Sequence, residues 1–327
     1  MTGIDTENTY IYLLEEASDR TSETWETYMH DRKERGLDLK VSITDGGTGL
    51  LSGIPKVYPE AELQRDVFHA LYEMGKEVSK VERKAYACIL EEYKLTANLA
   101  GKRPRQSAKE KLAVIKPKTK EAIDCYDTIN ILYGWLKELL SFSGYNKEDT
   151  LLLIKYVLQE MENIAPDYSG IKKETEKIRK NLPSLLSFIN RLDSAMEKRA
   201  QELGIPLEAF RIMYRQMSYS PSSAQSNEMV CQLVEMLMER LPIVMNEFQI
   251  LLNSVKKTSS LVENLNGRIR VYIEMKRVVP TRFFVLLKVY FNTRRYKRSR
   301  CKERVGKSPL ELLMGTPQPT FFEALSY

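Results

Sequence analysis

Two periods of hydrophobic spacing share this chain. Near the start, Tyr10-Ile11-Tyr12-Leu13-Leu14 is a short β-prone run, and residues 18–35 place Trp25, Tyr28 and Met29 at helical spacing behind Ser and Thr capping candidates. Strand then helix is the expectation, with Gly36 closing the helix. Leu39, Val41 and Ile43 then alternate with Lys40, Ser42 and Thr44, which predicts a second strand with one face more buried than the other. Asp45 falls at its C-terminal end and opens a glycine-rich turn, Asp45-Gly46-Gly47-Thr48-Gly49. Any helical turn begun at Leu50 is expected to be cut short by Gly53, Pro55 and Pro59, and Leu63 to His69 reads as a further strand. This order predicts an α/β sheet in which some strands run parallel.

From about Leu71 to Lys257 the pattern changes to long amphipathic segments rich in Leu, Glu and Lys, the signature of helices. Breaks near Gly101 to Pro104, Pro117, Gly144, Pro166 to Gly170, Gly204 to Pro206 and Ser218 to Ser226 predict six or seven of them. The last portion opens with a helix on which Leu261, Val262, Leu265, Ile269, Tyr272 and Ile273 fall within an arc of about 120°, while Glu263, Asn266, Arg270 and Arg277 lie on the other side. One face packs and the other is available for chemistry. A further helix, Arg282 to Phe291, precedes Asn292 to Arg300 and Lys307-Ser308-Pro309-Leu310-Glu311-Leu312-Leu313. The expected organisation is therefore 1–70, 71–257 and 258–327, α/β at the ends and all-α between.

At 327 residues, 43% of them hydrophobic, the chain is long enough for about two packed domains. It has no run of eighteen apolar residues, and Met1 to Asn8 is neither basic nor apolar, so a cytoplasmic protein without membrane insertion is expected. Cys88, Cys125, Cys231 and Cys301 are scattered without a C-x-x-C pair and are expected to be ordinary thiols. The net charge of +6 hides a gradient. Between Lys256 and Lys307 there are sixteen Lys or Arg against three acids, whereas residues 1–255 carry 34 basic and 39 acidic side chains. A polyanionic partner at the C-terminal segment is the implication. The basic stretch Gly101-Lys102-Arg103-Pro104-Arg105 is either a second phosphate contact or a solvated connection.

Several phrases occur in a familiar order: Ile43-Thr44-Asp45-Gly46-Gly47, then Asp66-Val67-Phe68-His69, then Ser260, Glu263, Asn266 and Arg270 in an S-x-x-E-x-x-N-x-x-x-R spacing, then Asn292, Arg294 and Arg295 followed by Lys307 to Leu313. Together these resemble bacterial insertion-sequence transposases of the DDE type related to the Mutator group. The resemblance implies an incomplete ribonuclease-H-like α/β core interrupted by a large helical insertion. It further implies Asp45 and Glu263 as catalytic, metal-binding carboxylates, and Asp66, His69, Asn266 and Arg270 as auxiliary residues. It also places a first catalytic Asp on a strand earlier than Tyr10 to Leu14; Asp5 lies close to that strand but beyond it.

Phosphodiester cleavage and strand transfer by such enzymes need an in-line attack at phosphorus assisted by two divalent ions. Mg²⁺, with Mn²⁺ as a substitute, prefers carboxylate and water oxygens, so Asp and Glu suffice and the chain's two histidines are not required. DNA would be the partner, held by Arg294, Arg295, Lys297, Arg298, Arg300 and Lys307 through counterion release, with a homo-oligomer assembled on it in the nucleoid. Tyr290 and Tyr296 are expected to pack rather than stack on bases. Each assignment has a plainer alternative. Asp-Gly is a common turn dipeptide, Glu263 fits a solvated helix face, and Asp66 with His69 fits a structural pair. Two other functions stay open, a DNA-binding remnant without catalysis and a helical protein-interaction module.

Overall fold

The computed structural model describes residues 1–99, 106–141, 147–275, 279–299 and 301–325. Glycines 101 and 144, the basic stretch 101–105, Arg277 and Arg300 lie outside them. The elements in order are β1 (Thr2–Ile4), β2 (Ile11–Leu14), α1 (Ser22–Glu34), β3 (Val41–Thr44), α2 (Thr48–Val57), β4 (Glu62–Arg65), α3 (Val67–Leu99), α4 (Gln106–Ser141), α5 (Lys147–Ile164), α6 (Ser169–Leu185), α7 (Ser187–Leu203), α8 (Leu207–Gln216), α9 (Ala224–Leu237), α10 (Leu241–Ser254), α11 (Ser260–Glu274), α12 (Thr281–Thr293), α13 (Pro309–Met314) and α14 (Phe321–Leu325). The chain is mostly helical and divides into two compact units, residues 1–66 with 258–327, and residues 67–257.

In the first unit the strands form two separate ladders among the described residues. β1 pairs antiparallel with β2, Gly3 opposite Leu13, and β3 pairs parallel with β4 in the register Thr44 opposite Arg65. The expected parallel pairing is present. The three-residue strand β1 went unread in the sequence because its apolar signal is one isoleucine. Ile11 and Leu14 on β2 bury against Leu265 and Ile269 of α11 and Leu287 and Phe291 of α12, so the apolar arc predicted for α11 faces this core. A second cluster joins Met29 of α1 to Ile54 and Val57 of α2, with Leu37, Leu39 and Leu63 packed on it.

Helix α2 corrects the sequence reading. The segment after Leu50 continues as a ten-residue helix through Gly53 and Pro55. Pro55 sits in the last turn, where it deprives only the Leu51 carbonyl of a donor. The glycines are the contact surface rather than breakers. A Cβ on Gly49 would stand 1.9 Å from the Arg20 carbonyl oxygen, and one on Gly53 would stand 2.7 Å from Trp25 Cβ and 2.8 Å from the Ser22 carbonyl oxygen. One helical turn apart, they let α2 lie directly on the start of α1, whose N-cap Thr21 accepts from the Thr24 amide.

The second correction concerns Leu63 to His69. The strand stops at Arg65 and α3 begins at Val67, so His69 is a helical residue of the other unit. That unit holds eight α-helices among its described residues, more than expected: α4 runs through Pro117 without the expected break, but two unexpected breaks separate α6 from α7 and α9 from α10. Thr119 Oγ1 donates to the Cys88 carbonyl at 3.3 Å, Tyr126 OH to Glu82 at 3.2 Å and Tyr133 OH to the Leu71 carbonyl at 2.9 Å. As residue number rises on α4 it falls on α3, so the two long helices are antiparallel. One core lies among α3 to α6 and the start of α7, another among α7 to α10, with α7 common to both. The unit's two ends meet where the Val67 amide donates to the Lys257 carbonyl at 3.3 Å.

Gly49→Ala should lower stability by about 1–3 kcal/mol, as expected for added volume in a closed contact, seen as a drop in the urea unfolding midpoint. An unchanged midpoint would show that α2 does not rest on α1 in this way.

Candidate active site

The end of the β3–β4 ladder is built backbone first. The Asp66 amide donates to the Thr44 carbonyl at 2.9 Å, extending the parallel pairing one residue beyond Arg65. Asp45 therefore leaves β3 beside Asp66. Its Oδ1 accepts from the Gly47 amide at 3.1 Å and the Gly46 amide donates to Thr44 Oγ1 at 2.8 Å, which folds the chain sharply away. Gly46 has φ +94°, a conformation that favours glycine, and a Cβ there would fall 1.1 Å from Arg65 Nη1 and displace that guanidinium. Asp45 is thus a turn former through one oxygen. The residue is exposed, and its Oδ2 has no hydrogen-bond or ion-pair partner among the described residues.

Asp66 is buried, 3% exposed, and its Oδ2 accepts from the Ser259 amide at 3.2 Å and from Ser259 Oγ. Ser259 is the N-cap of α11. One turn further along, the Glu263 amide donates to the Ser259 carbonyl at 3.2 Å, and the exposed Glu263 carboxylate carries no partner among the described residues. Asp66 therefore joins the strand end beside Asp45 to the start of the helix that bears Glu263. Asn266 is half-buried and accepts from Thr2 Oγ1 at 3.0 Å, fastening α11 to β1. Arg270 is exposed on α11. Asp5 lies past the end of β1, where its carboxylate accepts from the Glu7 and Asn8 amides at 2.9 and 3.3 Å and so shapes the hairpin loop. Among the described residues no group of three or more His, Cys, Asp or Glu is gathered for a metal ion.

The C-terminal basic segment is more structured than a charged tail. Asn292 is buried and exchanges two bonds with the backbone of Ile11, accepting from its amide at 2.8 Å and donating to its carbonyl at 3.0 Å. Tyr290 packs edge-on against Phe321 and near Tyr272 and Phe291, and Tyr296 OH lies 2.7 Å from Thr9 Oγ1, so both tyrosines pack. Arg295 forms a two-pronged ion pair with Glu311, Nε to Oε2 at 3.1 Å and Nη2 to Oε1 at 2.7 Å. Glu311 also closes a capping box with Ser308 at the start of α13. Arg304 donates to the Glu7 carbonyl at 2.8 Å. Arg294 lies over the Tyr290 ring at 5.6 Å, while Lys297, Arg298 and Lys307 are exposed with no ion-pair partner among the described residues. Sequence reasoning missed Ser259 as the partner of Asp66, a pairing between residues 193 apart that nothing local announces. It also missed the job of Glu311, although Ser308-x-x-Glu311 is a readable capping signature.

Residues 3–125 match the model of a family described as Transposase, Mutator family. The match supports a transposase role. It runs from β1 into α4 and takes in Asp45, Asp66 and His69, but stops short of Glu263 and the basic segment. No curated protein and no solved structure matches the chain. No helix among the described residues is long and apolar enough to cross a membrane.

The Arg295 guanidinium holds the Glu311 carboxyl down at about 2, aided by the Ser308 and Gln318 amides. A carboxyl depressed in the folded state contributes stability above its ordinary value of 4.5 and loses it as pH falls toward about 2. Between those limits the unfolding midpoint of the unaltered chain should fall more steeply with acid than that of Glu311→Gln. Parallel pH profiles of the two proteins would refute the ion pair.

Proposed function

We propose that this chain is part of a DDE-type transposase that cuts and joins DNA strands for an insertion sequence, with Asp45 and Glu263 as two of its metal-binding carboxylates on a ribonuclease-H-like core interrupted by the helical unit. The observation that carries the reading is the Asp66–Ser259 link. After an excursion of 191 residues, it sets the start of α11 against the strand end from which Asp45 projects. The C-terminal ends of parallel strands are where α/β folds bind ligands.

The donor chemistry fits Mg²⁺ or Mn²⁺. Asp45 Oδ2 and the Glu263 carboxylate are hard oxygen ligands without a hydrogen-bond or ion-pair partner among the described residues, and the Arg65 guanidinium lies close by, its Nη1 donating to the Asp45 carbonyl at 3.5 Å. Mg²⁺ is commonly held by one or two carboxylates, the rest of its shell being water and substrate phosphate. When bound, the ions supply activation of the attacking hydroxyl and charge neutralisation on the leaving oxygen. The resemblance to the Mutator group assigns a further carboxylate to a strand upstream of β1, and the two-stranded state of both ladders is compatible with an additional strand.

The remaining work falls to the protein's own side chains. Asp66 and Asn266 act by positioning α11, since each is already bonded to the fold. Lys297, Arg298 and Lys307 hold backbone phosphates, joined by Arg294 and Arg300, whereas Arg295 is engaged by Glu311. Assembly as a homo-oligomer on transposon ends, in the nucleoid, belongs to the same proposal.

The test is nicking and strand transfer on plasmid and transposon-end DNA in Mg²⁺ or Mn²⁺, using the chain preceded by its upstream reading frame. Asp45→Ala and Glu263→Ala should each reduce cleavage about a hundredfold or more and leave duplex binding in place. Full cleavage by both variants would sink the assignment. Binding without cleavage in either metal would identify a non-enzymatic DNA-binding remnant.

A further inference from the structure

The helical unit carries a basic surface that the proposed catalytic chemistry does not use. Over its first turns α4 bears Lys109, Lys111, Lys116, Lys118 and Lys120, with Glu110 as the single acid between Gln106 and Lys120. All five lysines are exposed, and none has an ion-pair or hydrogen-bond partner among the described residues. Their spacing sorts them into two rows. At 100° per residue Lys109, Lys116 and Lys120 fall within about 40° of one another, and Lys111 and Lys118 within about 20° on the opposite flank.

Between the rows, on the buried side, Ile115 and Thr119 face α3, and the Thr119 hydroxyl bond to Cys88 fixes the register. The facing stretch of α3 offers no excess negative charge, since Glu82, Glu91 and Glu92 are matched by Arg83, Lys84 and Lys94. Lys116 lies roughly level with Glu91 in the register set by Thr119 and Cys88, yet no ion pair joins them. Holding five like charges on about three turns costs folding energy through self-repulsion, and an anionic partner removes that cost.

We infer that α4, with a lysine row on each flank, is a second nucleic-acid contact, one that grips the phosphate backbone of duplex DNA without reading its sequence. From Lys109 to Lys120 the helix advances about 16 Å at 1.5 Å per residue, the length of roughly five base-pair steps at 3.4 Å per strand phosphate. The rows flank the helix, so phosphates can be met along either side. The inference stands on the charge of α4 and is independent of whether Asp45 and Glu263 cut DNA.

The experiment measures binding of the full chain to a random-sequence duplex over a range of salt concentrations. The variant changes Lys109, Lys111, Lys116, Lys118 and Lys120 to Gln together. A control changes Lys155, Lys172, Lys173, Lys180 and Lys198, exposed lysines elsewhere in the same unit, to Gln. Circular dichroism checks that helicity is kept in both. Each lost phosphate contact removes about 0.9 from the slope of log K against log salt, so the α4 variant, if all five lysines meet a phosphate, should lose about four to five units of slope and bind more than tenfold more weakly, the control less than one unit. A slope within one unit of the unaltered chain, or an equal loss in the control, would overturn the inference. So would tighter binding to phosphatidylserine vesicles than to duplex at equal anionic charge. Asp45→Ala should leave the α4 slope intact, which separates failure here from failure of the catalytic assignment.

Discussion

One buried carboxylate closes the first unit on itself. Asp66 follows β4 directly and receives both the amide and the hydroxyl of Ser259, the N-cap of α11. Hydrogen bonds to a charged group contribute about 1.5–3 kcal/mol each, and this pair is spent on joining two stretches of chain separated by the whole helical unit. The unit's own ends meet through the Val67 amide and the Lys257 carbonyl, so the excursion begins and ends at one place. Without that closure α11 has no reason to lie near the β3–β4 ladder. With it, Glu263 and Asp45 are each one short step from the same link.

The rest of the first unit follows the same rule, in which side chains stand in for missing local partners. β2 has a strand neighbour in β1, and Asn292 supplies its backbone with a further donor and acceptor, much as another strand would. Asn266 ties α11 to β1 through Thr2, and Arg304 ties the C-terminal segment to the hairpin loop through Glu7. Two-stranded ladders are marginal alone; here helices and polar side chains complete them. The basic segment is consequently anchored at Asn292, Arg295 and Tyr296, and Lys297, Arg298 and Lys307, without ion-pair partners among the described residues, are presented from a fixed base.

How much of this was legible depended on range. α1, β2, β3 and the packing face of α11 were readable because their signals are periodic and local. The long helices of the middle of the chain were readable from the change of period. β4 was read too long, since Asp66 to His69 carries no breaker and the switch to helix at Val67 is set by packing. α2 was read too short, since Gly49 and Gly53 look like breakers until the helix they touch is known. At the site, Asp45 was visible as an acid at a strand end. Its neighbourhood was not, because the Asp66–Ser259 and Thr2–Asn266 bonds span 193 and 264 residues and leave no trace in spacing. Asn266 and Arg295 looked available for chemistry for the same reason, their partners Thr2 and Glu311 being found only in three dimensions.

The central claim is that Asp45 and Glu263 serve one metal centre. Iron-directed backbone cleavage addresses it without reference to activity. With Fe²⁺ in place of Mg²⁺, in ascorbate and peroxide, the polypeptide should be cut beside both residues 45 and 263, and excess Mg²⁺ should suppress both cuts together. Cuts beside one of them alone, or at sites that Mg²⁺ does not protect, would contradict the claim.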